Sequence, residues 1–121
     1  MKLAAIHIGT DQPEKLGAFY RQVLNMEPAW SSHGVTGFMV GEVILEITEH
    51  DQVNGRNQTP ARIFFDLMVD DARAEFARIQ ALGATVIQEP YDHVDEETQF
   101  TVGTFADPDG NYFQVASQLR G

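Results

Sequence analysis

Four polar residues each interrupt a short apolar run: His7 in Ile6-His7-Ile8, Glu46 in Leu45-Glu46-Ile47, Asp66 in Phe65-Asp66-Leu67 and Gln114 in Phe113-Gln114-Val115. An imidazole, two carboxylates and an amide can together line a cavity for a small molecule, or satisfy one another and water in a half-buried sheet. Side chains of a strand alternate between its faces. Ile6, Ile8, Leu45, Ile47, Phe65, Leu67, Phe113 and Val115 therefore suit a helix-covered face. The four polar groups share the opposite face with Ala5, Ile44, Phe64 and Tyr112. Two such sheets curved into one cup turn the four groups toward a common cavity. No Arg or Lys falls on that face of the four runs, and His7 is its single candidate cation. An enclosed carboxylate without a partner is costly, so the cup is expected to prefer neutral or cationic aromatic compounds to anionic ones. Trp30, the only tryptophan, falls on a neighbouring strand, either as core filler or as a stacking platform for a flat or cationic ligand.

The elements that must position these groups follow from periodicity and breakers. Residues Leu3 to Ile8 read as a strand closed by Gly9, Thr10 and Asp11. Pro13 then opens a helix, with Thr10 or Asp11 as N-cap and Leu16, Phe19, Tyr20, Val23 and Leu24 at helical spacing, ending near Asn25. Glu27 to Ser32, Gly34 to Val40 and Val43 to Thr48 read as three strands, the last two joined by Gly41-Glu42. His50 to Thr59 lacks an apolar pattern and reads as a loop. Beyond it Arg62 to Val69 is a strand, Asp70 and Asp71 are cap residues, Ala72 to Leu82 is a helix with Phe76 and Ile79 inward, and Gly83 stops it. Thr85 to Gln88, Thr98 to Phe105 and Asn111 to Ser117 are further strands, and acidic Tyr91 to Glu97 is expected as a loop over one end of the sheet. His33 and His50 fall in turns and His93 lies among acids, as solvated loop residues. Gly110 suits a turn with positive φ.

The second half repeats the first. His7 aligns with Asp66 at an offset of 59 and Glu46 with Gln114 at an offset of 68, the difference lying in larger hairpins of the second half. The fold expected is α+β, two tandem βαβββ modules, 1–51 and 59–121, joined by a loop at 52–58 within one domain.

Composition narrows the function further. The chain has 121 residues, of which 43% are hydrophobic and 21% charged, a profile of one folded domain. Eighteen acidic against eight basic residues give a formal charge of −10, which repels phosphate backbones and argues against nucleic acid. The absence of cysteine excludes disulfides, thiolate metal sites and Cys nucleophiles. The longest apolar runs are far short of the ~20 residues of a membrane span, and Met1 to Gly9 holds no signal-peptide core, so a cytoplasmic protein is expected.

With the βαβββ duplication, the Asp11-Gln12-Pro13-Glu14-Lys15-Leu16 start and Phe19-Tyr20-Arg21-Gln22-Val23-Leu24 body of the first helix, and Asp107-Pro108-Asp109-Gly110-Asn111 before the last strand, the chain resembles the vicinal oxygen chelate superfamily. That superfamily groups glyoxalase I, extradiol dioxygenases, bleomycin-resistance proteins and fosfomycin-resistance enzymes. The resemblance implies a divalent metal held by one side chain from the first and last strand of each module. Those positions fall here on Ala5, Glu46, Phe64 and Gln114, of which Ala5 and Phe64 cannot coordinate; a divalent ion needs at least three protein ligands. A displaced set of His7, Glu46, Asp66 and Gln114, ~6.6 Å along the strands, is the alternative metal site. The resemblance also implies a homodimer, for which unpaired sheet edges supply a reason.

The expected function is therefore a metal-free small-molecule-binding protein of the glyoxalase and bleomycin-resistance type, with His7, Trp30, Glu46, Phe64, Asp66, Tyr112 and Gln114 lining the ligand and catalytic residues unassigned. The alternatives are a metal-dependent lyase, isomerase or dioxygenase acting on vicinal oxygens, with Glu46 as ligand or base, and an interaction module whose cup is filled by its own side chains.

Overall fold

The computed structural model describes residues 1–119. It divides after Arg56, inside the segment read as a loop, into two compact units. The first contains β1 (Ala5–Thr10), α1 (Pro13–Leu24), β2 (Trp30–Ser32), β3 (Val35–Val40) and β4 (Val43–Glu49); the second contains β5 (Phe65–Met68), α2 (Ala72–Ala81), β6 (Thr85–Val94), β7 (Gln99–Ala106) and β8 (Tyr112–Gln118). Each unit is βαβββ, and each sheet is mixed: β1-β4-β3-β2 and β5-β8-β7-β6, with the first strand parallel to the last and the rest antiparallel. The fold class matches the sequence expectation.

In the first unit Leu16, Tyr20 and Val23 of α1 are buried with Phe38, Leu45 and Ile47 of the sheet. In the second, Ala72, Phe76 and Ile79 of α2 are buried with Phe105, Phe113 and Val115. The parity reading holds: Leu45, Ile47, Phe113 and Val115 are buried, whereas Ile6, Ile8, Phe65 and Leu67, on edge strands, are half-buried. Ring stacking ties the second core together, with centroids 4.2 Å apart for Phe76 and Phe105 and 5.6 Å for Phe105 and Phe113.

Several boundaries differ from the sequence reading. β1 runs from Ala5 to Thr10 because its parallel ladder to β4 pairs Ala5 with Ile44 and Thr10 with Glu49; Leu3 lies outside and is exposed. Residues 27–29 precede rather than form β2. The N-cap of α1 is Gln12, without a side-chain cap bond, because the Thr10 hydroxyl accepts from the Gln12 N–H and Asp11 accepts from the Gly55 N–H across the unit. Asp71 does cap α2, accepting from the Ala74 N–H. Tyr91 to Val94 are strand, not loop: they continue β6 by pairing with Phe100 to Val102 and Gln99, so His93 is a strand residue and the turn is Asp95 to Thr98. Gly110 has φ +83° in a turn whose carboxylate, Asp107, accepts from the Asp109 and Asn111 N–H groups.

Candidate functional site

α1 covers one face of the first sheet, and the opposite face carries no helix of that unit. Register sets one row across this open face. His7 pairs with Glu46, Glu46 with Gly37, and Gly37 with Trp30. Directly paired residues share a face, and neighbouring strands lie ~4.8 Å apart, so three of the seven expected ligand residues lie in one row, with Gly37 between Glu46 and Trp30. His7 Nδ1 is 3.4 Å from Glu46 Oε1, and the Thr48 hydroxyl donates to the same oxygen at 3.0 Å. The Glu46 side chain is 21% exposed against 63% for His7, so the carboxylate is the more enclosed partner.

Trp30 is neither core filler nor freely projecting. A Cβ added at Gly37 would lie 2.1 Å from Trp30 Cε2, 2.2 Å from Cζ2 and 2.5 Å from Nε1. For an indole directing this edge at the glycine, the two flanking atoms would come nearer than Cε2; they are farther, so the ring is laid over the Gly37 backbone. The Ala29 N–H donates to the Gly37 carbonyl at 2.8 Å, fixing the entry to β2. The residue is nevertheless 38% exposed, so part of its surface remains open to solvent.

The second sheet places different chemistry at the same ladder positions. Asp66 pairs with Gln114, Gln114 with Thr104, and Thr104 with Gln88. Gln114 Nε2 donates to the Thr104 hydroxyl at 2.9 Å. Tyr112 begins β8 and is half-buried; Phe64 immediately precedes β5, because the ladder to β8 starts at Phe65, and is 44% exposed. Phe64 is thus a surface residue rather than the strand residue expected.

The metal positions implied by the resemblance do not fit an ion. Ala5 and Phe64 carry no donor atom, Glu46 Oε1 is already engaged by Thr48 and His7, and the Gln114 amide donates to Thr104. Among the described residues no three His, Asp or Glu are grouped so as to hold a metal ion.

Sequence reading missed Gly37, Thr48 and Thr104. The available signal was a glycine inside a strand, Val35-Thr36-Gly37-Phe38, which marks a bulge or a close approach. His33 lies in the turn between β2 and β3 as expected, and His50 directly follows β4, its Nδ1 accepting from the Gln52 N–H. His93 contacts Asp95 at 2.8 Å and stacks on Phe100 at 4.8 Å.

Among the described residues no helix is long and apolar enough to cross a membrane. Residues 5–116 match the model of the glyoxalase-like domain. No curated protein matches the chain. Among solved structures it is similar to a glyoxalase/bleomycin resistance protein/dioxygenase family enzyme from Burkholderia phytofirmans PsJN (20% identity, 98% of this chain and 100% of that one, TM-score 0.78). It is also similar to a glyoxalase/bleomycin resistance protein from Albidiferax ferrireducens T118 (16%, 96% and 98%, TM-score 0.79). A third likeness is to the fosfomycin resistance protein FosX from Listeria monocytogenes (20%, 98% and 94%, TM-score 0.74). At these identities the likeness concerns the fold. With the family model spanning nearly the whole βαβββ duplication, the chain belongs to the glyoxalase-like domain family.

Proposed function

We propose that this protein binds and sequesters a neutral or cationic aromatic small molecule, without a resident metal. The observation that carries this reading is the row Trp30, Gly37, Glu46, His7: an indole laid on a glycine beside a carboxylate, on a sheet face that carries no Lys or Arg. An aromatic face attracts flat and cationic groups, and a partly enclosed carboxylate favours a cation over an anion. The acidic balance of the whole chain has the same sign. His7, Trp30 and Glu46 are the ligand residues best supported; Phe64, Asp66, Tyr112 and Gln114 are carried by the sequence argument. The metal-free assignment is supported by the missing donors at Ala5 and Phe64.

Thermal unfolding with benzyltrimethylammonium and with benzylphosphonate tests the reading, since a ligand of the native state raises Tm. The cation is expected to raise Tm, the anion to have no effect, and Glu46→Gln to abolish the difference; Asp66→Asn tests whether the second carboxylate takes part. Stabilisation mainly by the anion would overturn the assignment. Elemental analysis of protein purified without chelators is expected to give far less than one equivalent of Mn, Fe, Ni or Zn; a full equivalent lost on Glu46→Ala would favour a metalloenzyme. The reading includes a homodimer in the cytoplasm: each sheet ends in edge strands, β1 and β2 in one and β5 and β6 in the other, which a second copy can cover. Light scattering at the mass of two chains checks the dimer.

A further inference from the structure

The geometry points to Gly37 as the residue that fixes the ligand's shape and charge class: by seating the Trp30 indole beside Glu46, it creates a subsite for a planar aromatic cation whose charge is spread over the ring. This rests on the binding reading above and narrows it. Any side chain at 37 would meet the indole at 2.1 to 2.5 Å, below the closest approach of real Cβ atoms, so only glycine leaves the ring where it is. The indole is held in place before ligand arrives, on a row bonded through the β2 to β3 pairing, and preorganised aromatic surface needs no ordering on binding. Glu46 is the residue next to Gly37 along the row, one strand spacing of ~4.8 Å from the glycine that the indole covers. A flat ring stacked on Trp30 therefore extends over or beside the carboxylate, and a delocalised positive charge meets both the π-face and the anion. A globular cation cannot lie flat on the indole and is held by Glu46 alone, and a flat neutral ring gains nothing from Glu46. β3 presents Val35, Gly37 and Met39 on this face and β2 presents Trp30 and Ser32, so no basic side chain of those strands competes. The second sheet has no such subsite in its own row, because Thr104 occupies the place of Gly37 and Gln88 that of Trp30.

Isothermal titration of the full chain with N-methylquinolinium, quinoline at pH 8 and tetraethylammonium tests the inference. N-methylquinolinium is expected to bind about tenfold tighter than either of the others. Gly37→Ala should weaken both planar probes about tenfold and leave tetraethylammonium unchanged, and Glu46→Gln should equalise N-methylquinolinium and quinoline. Trp30→Ala, which removes the ring without crowding the sheet, should reproduce the planar-specific loss if Gly37→Ala fails to fold. Tetraethylammonium binding as tightly as N-methylquinolinium, or planar probes unaffected by both Gly37→Ala and Trp30→Ala, would overturn the inference while leaving Glu46-dependent cation binding intact. Failure of all three probes to bind would overturn the binding reading together with it.

Discussion

Each sheet of this protein has a strand glycine that receives an aromatic ring, and the two glycines face opposite ways. Gly103 in β7 turns to the helix side, where an added Cβ would lie 2.5 Å from Phe76 Cδ2; Phe76 is 2% exposed and stacks on Phe105. Gly37 in β3 turns to the open side and carries Trp30, 38% exposed. The same local device, a missing side chain that admits a ring onto the backbone, serves packing in one unit and presents surface in the other. A strand glycine thus signals close approach, but the face it lies on decides whether the ring is buried in the core or left partly exposed.

The largest expected effect tests the buried partner of this comparison. Phe76→Ala should cost about 3–5 kcal/mol, a large share of the ~5–15 kcal/mol typical of a domain, whereas Trp30→Ala should cost well under half of that because its ring is partly solvated. Urea denaturation of both variants measures the gap; equal losses would mean that Trp30 is core after all. A smaller contrast is expected at the glycines themselves. Gly103→Ala should destabilise by about 1–3 kcal/mol through overpacking against Phe76 and the Gln88 carbonyl, whose oxygen lies 3.4 Å from the added Cβ. Gly37→Ala should cost less, since the indole can shift into solvent, and should act on binding instead.

The helices differ in a way that predicts a still smaller step. Asp71→Ala removes a cap bond from α2 and should cost ~1 kcal/mol. α1 has no side-chain cap bond at Gln12 and relies on Pro13 and Glu14 in its first turn, so it holds no cap bond of this kind to remove.

The smallest effect is set by pH and distinguishes the β6–β7 end. The Thr98 N–H, then His93 and the Glu97 N–H, hold the Asp95 carboxyl well below the usual carboxylate range, and Thr101 followed by Arg73 lowers Asp92. A depressed folded value contributes stability above the unfolded carboxylate range near pH 4, lost as pH falls through the folded value. Acidification from pH 5 toward pH 2 should therefore disturb the Glu97 and Thr98 amide resonances only at the acid end of that range. Asp95→Asn should remove this transition, and a midpoint at the ordinary Asp value would show the turn bonds to be absent in solution.

Much of the architecture was legible in the residues because burial imposes period. Alternation in Ile6-His7-Ile8 and Phe113-Gln114-Val115 assigned the faces, and repetition of that pattern with a helix after each first strand revealed two βαβββ units. Boundaries were less legible where pairing rather than propensity sets them. Tyr91 to Val94 look like acidic loop, yet they are strand because β7 supplies partners, and the Thr101 hydroxyl and Arg73 donate to the Asp92 carboxylate. Phe64 looks like strand, yet the ladder of an edge strand begins one residue later.

The sequence by itself determined the fold class, the inward and outward faces of the strands and the scarcity of metal donors, since each depends on residue type and a period of two. Only the tertiary structure decided that His7, Glu46, Gly37 and Trp30 form one row, because strand register joins residues far apart in the chain. It also decided that the tryptophan lies on a glycine rather than in the core. Period places a side chain on a face; only the pairing of strands tells which side chain stands next to it.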